Sequence, residues 1–371
     1  MSFELRKLED VCDILDHIRI PITSRDRKDG PYPYYGANGI QDYIDDYIFD
    51  DDLVLLAEDG GNFGSKEKPI AYRISGKTWV NNHAHVLKPK NIIDVDYLCY
   101  SLMYYDVSGL VNGATRQKLT QSEMRKINIR YRSLEKQRQI VFKIKLVSNI
   151  ISSREHQLSN LNLLVKSRFI EMFIQNDAVF PKKKLGECTI INPKKSMDNR
   201  LKDDLIVSFV PMAAVGEDGS INTSDTKTYC EVKNGFTYFI DGDVLFAKIT
   251  PCMENGKGAV ATNLSNGIGF GSTEFHVIRP LEGITNPVWL YTLSVLKEFR
   301  LAAEANMTGS AGQKRTPSSF LQNYEIKLPP IDLQDQFADF VAQVDKSKLA
   351  IQQSLDELET LKKSLMQQYF G

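Results

Sequence analysis

A heptad-patterned segment at residues 134–173 constrains the fold of this chain more than any other feature. Apolar residues stand seven apart along one seam of it: Ile144, Ile151, Leu158, Val165 and Met172. Such spacing is typical of a coiled coil. The segment contains neither Pro nor Gly, so nothing in its covalent chemistry interrupts a helix. One helix of this length would be roughly 60 Å long, which suits a strut better than a globular core.

The same pattern returns 197 residues later, where Ile331 to Phe337 matches Leu134 to Ile140. The second copy has its own regular apolar seam, so we expect the two helices to pair antiparallel with their complete seams in contact. The residues predicted to pack in this pair are Ile144, Ile151, Leu158 and Val165 from the first helix and Val344, Ile351, Leu358 and Leu365 from the second.

The segments that precede the two helices also share landmarks. Ala84 to Pro89 matches Phe275 to Pro280, and Gly113 to Thr120 matches Gly309 to Thr316 with a common Gly-x-x-x-Gln-Lys pattern. Short runs of branched and aromatic residues between turn signals indicate mixed α/β (α+β) domains. The chain is therefore predicted to be a tandem duplication of a domain followed by a long helix. The predicted bounds are 1–133 and 175–330 for the domains and 134–174 and 331–371 for the helices.

Composition and charge limit the class of protein, its mode of nucleic-acid binding and its location. Its 371 residues are 42% hydrophobic and 25% charged, as expected for a soluble chain of two or three domains. The net charge of -1 means that any nucleic-acid binding must come from local patches or be shared with other subunits. The five cysteines are scattered without a CxxC pair, which favours a reducing, cytoplasmic location and argues against a structural zinc. Neither a membrane segment nor a signal sequence is predicted.

Catalytic patterns are weak throughout the sequence. A phosphate-binding Gly-x-x-x-x-Gly-Lys-Ser/Thr loop is missing, and neither Asn-Pro dipeptide continues as an adenine methyltransferase motif would. His83 and His85 alternate on one predicted strand, as metal ligands can. Only His85 has a histidine counterpart, His276, while His83 aligns with Glu274, which favours a packing or hydrogen-bonding role. We expect no catalytic residue, metal or cofactor.

A local excess of positive charge lies just before and at the start of the first long helix. Eight Lys or Arg residues occur between Arg116 and Arg138, against only two acids, Glu123 and Glu135. Clusters of this kind contact nucleic-acid phosphates, although a solvated charged helix face has the same composition. Both interpretations stay open at this point.

The order of variable domain, long helix, variable domain and long helix resembles the specificity subunit of type I restriction–modification systems. The resemblance covers essentially the whole chain and is most specific at 34–40, 56–61 and 242–257, together with the repeated Gly-x-x-x-Gln-Lys stretch. It implies that each domain reads one half of a bipartite site in double-stranded DNA. It also implies that the helix pair sets the spacing between half-sites and docks two modification subunits, which a restriction subunit then joins.

Side chains on loops held by a rigid domain can reach base edges and phosphates. The candidates for DNA contact in the first domain are Tyr34, Tyr35, Asn38, Lys66, Arg116, Gln117 and Lys118. Those in the second domain are Lys248, Thr250, Asn255, Lys257, Gln313, Lys314 and Arg315. The alternative is a non-catalytic coiled-coil adaptor whose duplicated domains bind protein.

Overall fold

The computed structural model describes residues 3–65, 67–113, 117–175, 179–310 and 312–371. The chain divides into two compact units. One comprises Met1–Glu155 with Gln353–Gly371, and the other comprises His156–Gln352. Each unit therefore contains one globular domain together with a part of each long helix.

The first domain consists of short strands and three short helices, with a 3-10 turn at Asp16–Ile18. The strands are β1 (Glu4–Lys7), β2 (Cys12–Ile14), β3 (Asp29–Gly36), β4 (Gly39–Ile44), β5 (Phe49–Asp50), β6 (Leu53–Ala57), β7 (Ala71–Ile74), β8 (Lys77–Val80), β9 (Ala84–Pro89), β10 (Val111–Asn112), β11 (Lys118–Leu119) and β12 (Asn128–Tyr131). The helices are α1 (Leu8–Val11), α2 (Val95–Met103) and α3 (Gln121–Met124).

Two four-stranded sheets form the body of this domain. One has the order β2-β9-β6-β7 with every pair antiparallel. The other has the order β4-β3-β8-β5 and contains one parallel pair, β3 with β8. Strand β6 is buried along its whole length, because its five apolar residues lie in the centre of the first sheet with neighbours on both sides.

The long helix α4 (Leu134–Phe173) follows, and after it the second domain repeats the plan. The strands are β13 (Lys182–Lys184), β14 (Thr189–Ile191), β15 (Ile206–Val210), β16 (Thr226–Thr228), β17 (Thr237–Ile240), β18 (Val244–Ala247), β19 (Gly258–Val260), β20 (Ile268–Gly271), β21 (Phe275–Pro280) and β22 (Glu325–Lys327). The helices are α5 (Leu185–Cys188), α6 (Tyr229–Val232), α7 (Pro287–Val295), α8 (Lys297–Ala305), α9 (Ser318–Asn323) and the second long helix, α10 (Ile331–Phe370). Three 3-10 turns lie at Lys195–Met197, Met212–Ala214 and Ser265–Gly267.

The second domain has the same sheet topology as the first. Its sheets have the orders β14-β21-β18-β19 and β16-β15-β20-β17, and the second again contains one parallel pair, β15 with β20. This agreement confirms the predicted fold class of two tandem mixed domains, each followed by a long helix.

Both long helices have 40 residues, and they run antiparallel in each unit. In the first unit the end of α10 packs beside the start of α4, where Arg132 Nη1 donates to the carbonyl oxygen of Tyr369 at 3.2 Å. In the second unit the rings of Phe169, near the end of α4, and Phe337, near the start of α10, are 5.3 Å apart. Aromatic residues at the end of each helix thus anchor it in a domain core.

The residues predicted to pack between the helices are covered to different degrees. Ile144 and Val344 are buried, whereas the other six are half-buried: Ile151, Leu158, Val165, Ile351, Leu358 and Leu365. Residues of the companion seam, including Val147 and Leu355, are buried as well. Both seams therefore contribute to the pair, as expected when a and d positions face a partner helix.

A buried glutamine near the start of each long helix ties it to its domain. Gln137 Oε1 accepts from the backbone N–H of Asp94 at 2.8 Å, while Nε2 donates to two backbone carbonyls. Gln334 makes the same set of bonds, accepting from the N–H of Asn286 at 2.9 Å. Asp94 and Asn286 are the N-caps of α2 and α7, so each glutamine fixes the domain helix against the long helix.

Among the helices in the described ranges, none combines the length and the apolar character needed to cross a membrane.

Candidate nucleic-acid interface

The described ends of the Gly-x-x-x-Gln-Lys stretch of the first domain lie in two short paired segments, residues 111–113 and 117–119, which we call the first basic hairpin. Its strands β10 and β11 pair through Asn112 and Lys118. The base of the hairpin is fixed to the sheet on both sides of Leu119. The N–H of Leu119 donates to the Glu58 carbonyl at 2.7 Å, and its carbonyl oxygen lies 2.8 Å from His85 Nε2.

Two other loops lie at the same edge of the first domain. Asn38, in the turn between β3 and β4, donates from Nδ2 to the carbonyl of Gly60 at 2.9 Å. Asp59 forms a bridge with Lys118 of the basic hairpin, and its carboxylate lies 2.7 Å from His83 Nδ1. Residues 37–39, 58–64 and the first basic hairpin therefore form one surface, the first loop cluster.

An ion-pair network lies beneath this surface. Glu58 pairs with Arg19 at 2.6 Å and with Lys118 at 3.0 Å, and Arg19 also lies 3.5 Å from Asp16. Burial raises the pKa of Glu58, but the hydrogen bonds from Arg19 and Lys118 outweigh it, so this pKa is lowered overall. Burial likewise opposes ionisation of Asp16, yet its bonds with His85 lower its pKa. Both carboxyl groups are therefore held as anions.

Asp16, Glu58 and His85 bring potential metal-ligand atoms within 4.8 Å of one another. The carboxylates are already neutralised by Arg19 and Lys118. A divalent cation would have to displace both of these positive groups, so we interpret the cluster as an ion-pair network.

The second domain holds an equivalent pair of segments, residues 308–310 and 312–316, which we call the second basic hairpin. Thr308 and Arg315 exchange backbone hydrogen bonds of 3.0 and 2.8 Å across it. The N–H of Thr316 donates to the Lys248 carbonyl at 2.9 Å, and its carbonyl oxygen lies 2.8 Å from His276 Nε2. These are the contacts that Leu119 makes in the first domain, and they confirm the hydrogen-bonding role predicted for the shared histidine.

The loop at residues 248–257 packs beside this hairpin, and the N–H of Thr250 donates to the Lys314 carbonyl at 3.1 Å. Asn255 Nδ2 donates to Glu217 at 3.0 Å, which brings residues 212–217 to the same edge. Residues 212–217, 248–257 and the second basic hairpin form the second loop cluster. From below, Arg300 Nη1 donates to the Met253 carbonyl at 2.8 Å, and burial lowers the pKa of this arginine to about 10.

The hydrogen bonds make Leu119 the structural counterpart of Thr316. The sequence match had aligned Leu119 with Arg315, so the two alignments differ by one residue. Lys118 is therefore the structural counterpart of Arg315. Each of these cations pairs with an acid, but from different strands. Glu58 follows β6 and faces Lys118 at 3.0 Å, whereas Glu274 precedes β21 and faces Arg315 at 2.8 Å. The bond from Arg315 lowers the pKa of Glu274.

One predicted contact residue lies inside the protein. Tyr34 is 1% exposed and packs in a small core with Ile44 and Trp79. Its hydroxyl accepts from the N–H of Ile22 at 3.0 Å. Assigning Tyr34 to the DNA surface was therefore wrong, because residue 34 lies on the β3 face that turns toward the core. Its neighbour Tyr35 is half-buried against Tyr72.

The other first-domain candidates fall into two groups. Asn38, Gln117 and Lys118 are exposed within the first loop cluster. Lys66 and Arg116 lie outside the described residues.

All of the second-domain candidates lie in the second loop cluster. Asn255, Gln313 and Lys314 are exposed, whereas Lys248, Thr250, Lys257 and Arg315 are half-buried. Lys257 Nζ donates to the Met212 carbonyl at 3.3 Å and so links two loops of the cluster.

Three described members of the positive cluster between residues 116 and 138 have partners within the protein. Arg132 is 6% exposed and donates to the carbonyl of Tyr369 at the end of α10, where a cation also complements the helix dipole. Arg125 and Lys126 pair with Glu9 and Glu123. Asp16, Glu58, Asn192 and Glu274 support the loops without having been predicted to do so.

The fold defines a duplicated chain in which two domains of the same topology each carry a loop cluster and are each followed by a long helix. The sequence matches the family described as type I restriction modification DNA specificity domain at residues 2–163 and again at 169–360. The chain belongs to this family.

Similar proteins carry related names. The chain is 38% identical over 182 residues to the type I restriction enzyme EcoAI specificity subunit of Escherichia coli. The aligned region covers 47% of this chain and 30% of that protein. It is 42% identical over 148 residues to the EcoEI specificity subunit, covering 39% of this chain and 24% of that protein. A putative type I specificity subunit of Haemophilus influenzae, S.HindORF215P, is 24% identical over 98% of this chain and 89% of its own length.

Solved structures share the fold across the whole chain. The type I restriction-modification S subunit from M. genitalium aligns with a TM-score of 0.57 and 11% identity, covering 100% of this chain and 96% of its own. A chain from a structure on complex assembly and conformational transition of the type I R-M system aligns with a TM-score of 0.55 and 16% identity, covering 100% and 97%.

Proposed function

We propose that this chain is the DNA-reading specificity subunit of a type I restriction–modification complex and that each loop cluster reads one half of a bipartite site. One observation carries the proposal. The two domains keep the same frame beneath their loops, since Leu119 and Thr316 are anchored by the same hydrogen bonds. Outside the shared Gly-x-x-x-Gln-Lys pattern the loops of the two clusters differ in sequence, which is the arrangement expected when one scaffold reads two different DNA sequences.

The chemistry of the exposed residues fits double-stranded DNA. Gln117 with Lys118, and Gln313 with Lys314, project from hairpins at exposed positions. Glutamine can bond to adenine in the major groove and lysine to guanine or to phosphate. Asn38 and Asn255 add amide groups at the same edges. Together they supply both base-edge and phosphate chemistry from short, firmly anchored loops.

Exposed apolar side chains on the long helix α4 supply a surface for the modification subunits. Phe142, Leu146 and Ile150 follow one another at a spacing of four and are 67%, 49% and 37% exposed. Apolar residues repeated along one helix face are typical of a docking site. We propose that this stripe binds a modification subunit, that two such subunits join the complex, and that a restriction subunit completes it.

Methyl transfer and ATP-dependent cleavage then reside on those partner subunits, and this chain contributes no catalytic group. The five cysteines are free thiols, in keeping with a reducing cytoplasm, where we place the complex.

The docking proposal is tested by co-purification of the full chain with a type I modification subunit from the same host. Leu146→Asp should abolish or strongly reduce retention of that subunit. Leu301→Asp is the matched control, because Leu301 is a helical leucine of similar exposure, 53%, on α8 of the second domain. Equal retention by both variants would remove the stripe from the interface.

DNA reading is tested by mapping adenine methylation in the host genome with and without the gene for this chain. The proposal expects a two-part sequence with a fixed unread spacer to lose its methylation when the gene is deleted, and to regain it on complementation. An unchanged methylation map would contradict the proposal and leave an adaptor role as the better account.

A further inference from the structure

Each domain contains a buried histidine that holds its basic hairpin to the sheet. His85 on β9 is 0% exposed and His276 on β21 is 5% exposed. Each Nε2 lies 2.8 Å from a carbonyl oxygen at the base of a hairpin, that of Leu119 or Thr316. A carbonyl oxygen can only accept a hydrogen bond, so Nε2 carries a proton in both rings.

The opposite nitrogen of the two rings has different partners. His85 Nδ1 lies 2.6 Å from the carboxylate of Asp16, whereas His276 Nδ1 lies 3.1 Å from the amide nitrogen of Asn192. The Asn192 oxygen accepts from the N–H of Val277 at 3.0 Å and also lies 3.3 Å from His276 Nδ1. The amide nitrogen is the nearer of the two Asn192 atoms to Nδ1, and an NH2 group donates to a bare ring nitrogen.

Hydrogen-bond complementarity thus gives the two histidines different protonation states. A carboxylate beside Nδ1 requires a second ring proton on His85, which makes that ring an imidazolium. The nearer Asn192 atom at Nδ1 is the amide nitrogen, which favours a bare Nδ1 on His276 and a neutral ring.

The charged neighbours agree with this assignment. The groups that face His85 are Asp16 and, at 3.7 Å, Glu58, which Arg19 and Lys118 pair from the outer side. Gln121 Nε2 also donates to Asp16 at 3.1 Å. Two carboxylates next to one ring favour its charged form.

The surroundings of His276 have the opposite effect. Burial lowers the pKa of His276, and the positive charge of Lys248 lowers it further, against the Thr316 carbonyl and the carboxylate of Glu274, which raise it. Arg315 is bonded to that same Glu274. The neutral ring is therefore the favoured form.

We propose that His85 and His276 are positioning residues for the two DNA-contacting hairpins, with His85 locked as an imidazolium by Asp16 and His276 kept neutral by Asn192. The DNA role of the hairpins rests on the proposed function, whereas the protonation states are argued from the hydrogen-bond partners of the two rings.

The test uses the full chain labelled with 15N-histidine, because the 15N chemical shift separates a protonated ring nitrogen from a bare one. The chain has five histidines, and two reciprocal substitutions assign the relevant signals. Asp16→Asn gives the first domain the pair found in the second, and Asn192→Asp does the reverse. At neutral pH we expect His85 to show two protonated nitrogens and His276 only one. Asp16→Asn should convert His85 to the singly protonated form, and Asn192→Asp should convert His276 to the doubly protonated form.

Amide hydrogen exchange at the hairpin bases gives a second readout. His85→Phe should lower the protection of the Leu119 amide, and His276→Phe that of the Thr316 amide, because each ring donates to the carbonyl at the base of its hairpin.

A singly protonated His85 in the wild type, or a neutral His276 in Asn192→Asp, would overturn the inference. Both measurements are made without DNA. Failure of the chain to bind DNA would therefore sink the proposed function while leaving the protonation result intact, and the converse outcome would sink only the inference.

Discussion

The side-chain oxygen of Gln137 accepts a hydrogen bond from the backbone N–H of Asp94 at 2.8 Å, and that contact joins the first long helix to the first domain. The amide nitrogen of Gln137 donates to the carbonyls of Ile92 and Arg132. Gln334 repeats the arrangement with Asn286, Ile284 and Pro329 in the second unit. Each of these two fully buried glutamines therefore joins a long helix to the backbone of the neighbouring domain.

Gln137→Leu should lower the free energy of unfolding by about 3 kcal/mol or more, because three backbone groups lose their partner and each buried orphan costs about 1–3 kcal/mol. Chemical denaturation of the full chain measures the loss. The matched control is Gln139→Leu, since Gln139 is an exposed glutamine on the same turn. Equal stability of the two variants would show that the buried network contributes nothing.

The ion-pair network beneath the first loop cluster should make stability fall in acid. The pKa values of Asp16 and Glu58 are lower in the folded chain than their ordinary values. Their contribution is therefore fully present above the unfolded-state value of about 4 and is lost as pH falls through the folded-state values. Thermal unfolding followed from neutral pH downward should show this loss, and Asp16→Asn with Glu58→Gln should reduce it. Glu325→Gln, at an exposed carboxyl on β22, should leave the pH dependence unchanged.

Lys314 is exposed next to Arg315 of the second basic hairpin and is expected to neutralise a phosphate or contact a base edge. Lys314→Ala should weaken DNA binding and, for a phosphate contact, reduce the slope of log K against log salt by about 0.9. Fluorescence anisotropy with a duplex carrying the mapped site gives both quantities. Lys182→Ala, at an exposed lysine on β13, should change neither. An unaltered affinity in Lys314→Ala would remove Lys314 from the DNA interface.

The helix pair could be predicted from the sequence because its signal is periodic and local. Seven-residue spacing and the absence of Pro and Gly define α4 and α10 without any knowledge of the tertiary fold. Arg132 shows the limit of such reasoning. It belongs to a positively charged run, yet its guanidinium is buried against Tyr369, 237 residues further along the chain. Only the folded chain shows that contact.

The site residues were predicted less well for a related reason. Tyr34 and Tyr35 are adjacent, but strand alternation turns the first toward the core and leaves the second half-buried. The Gln-Lys match aligned Lys118 with Lys314, although the hairpin anchors align it with Arg315. A match of two letters cannot resolve a shift of one residue, whereas a hydrogen bond from a buried histidine fixes it.

The helix pair should also measure DNA. Four residues inserted beside Ser152 and four beside Gln352 would add about 6 Å of helix, the rise of roughly two base pairs. Each added pair also rotates one half-site by roughly 35° relative to the other, so we expect a spacer lengthened by one pair to be favoured. Methylation mapping of the insertion variant gives the new spacer. Activity with the old spacer would mean that the helices do not measure the DNA.

The central claim is that each domain reads its own half-site, and a domain exchange tests it most directly. Residues 1–133 are replaced by the same segment of a relative with a different target, keeping Gln137 and the rest of α4. Methylation is then mapped in a host that also carries the modification subunit. The account predicts that one half of the bipartite site changes to the relative's word, while the other half and the spacer stay the same. A change in both halves, or in neither, would contradict independent reading by the two domains.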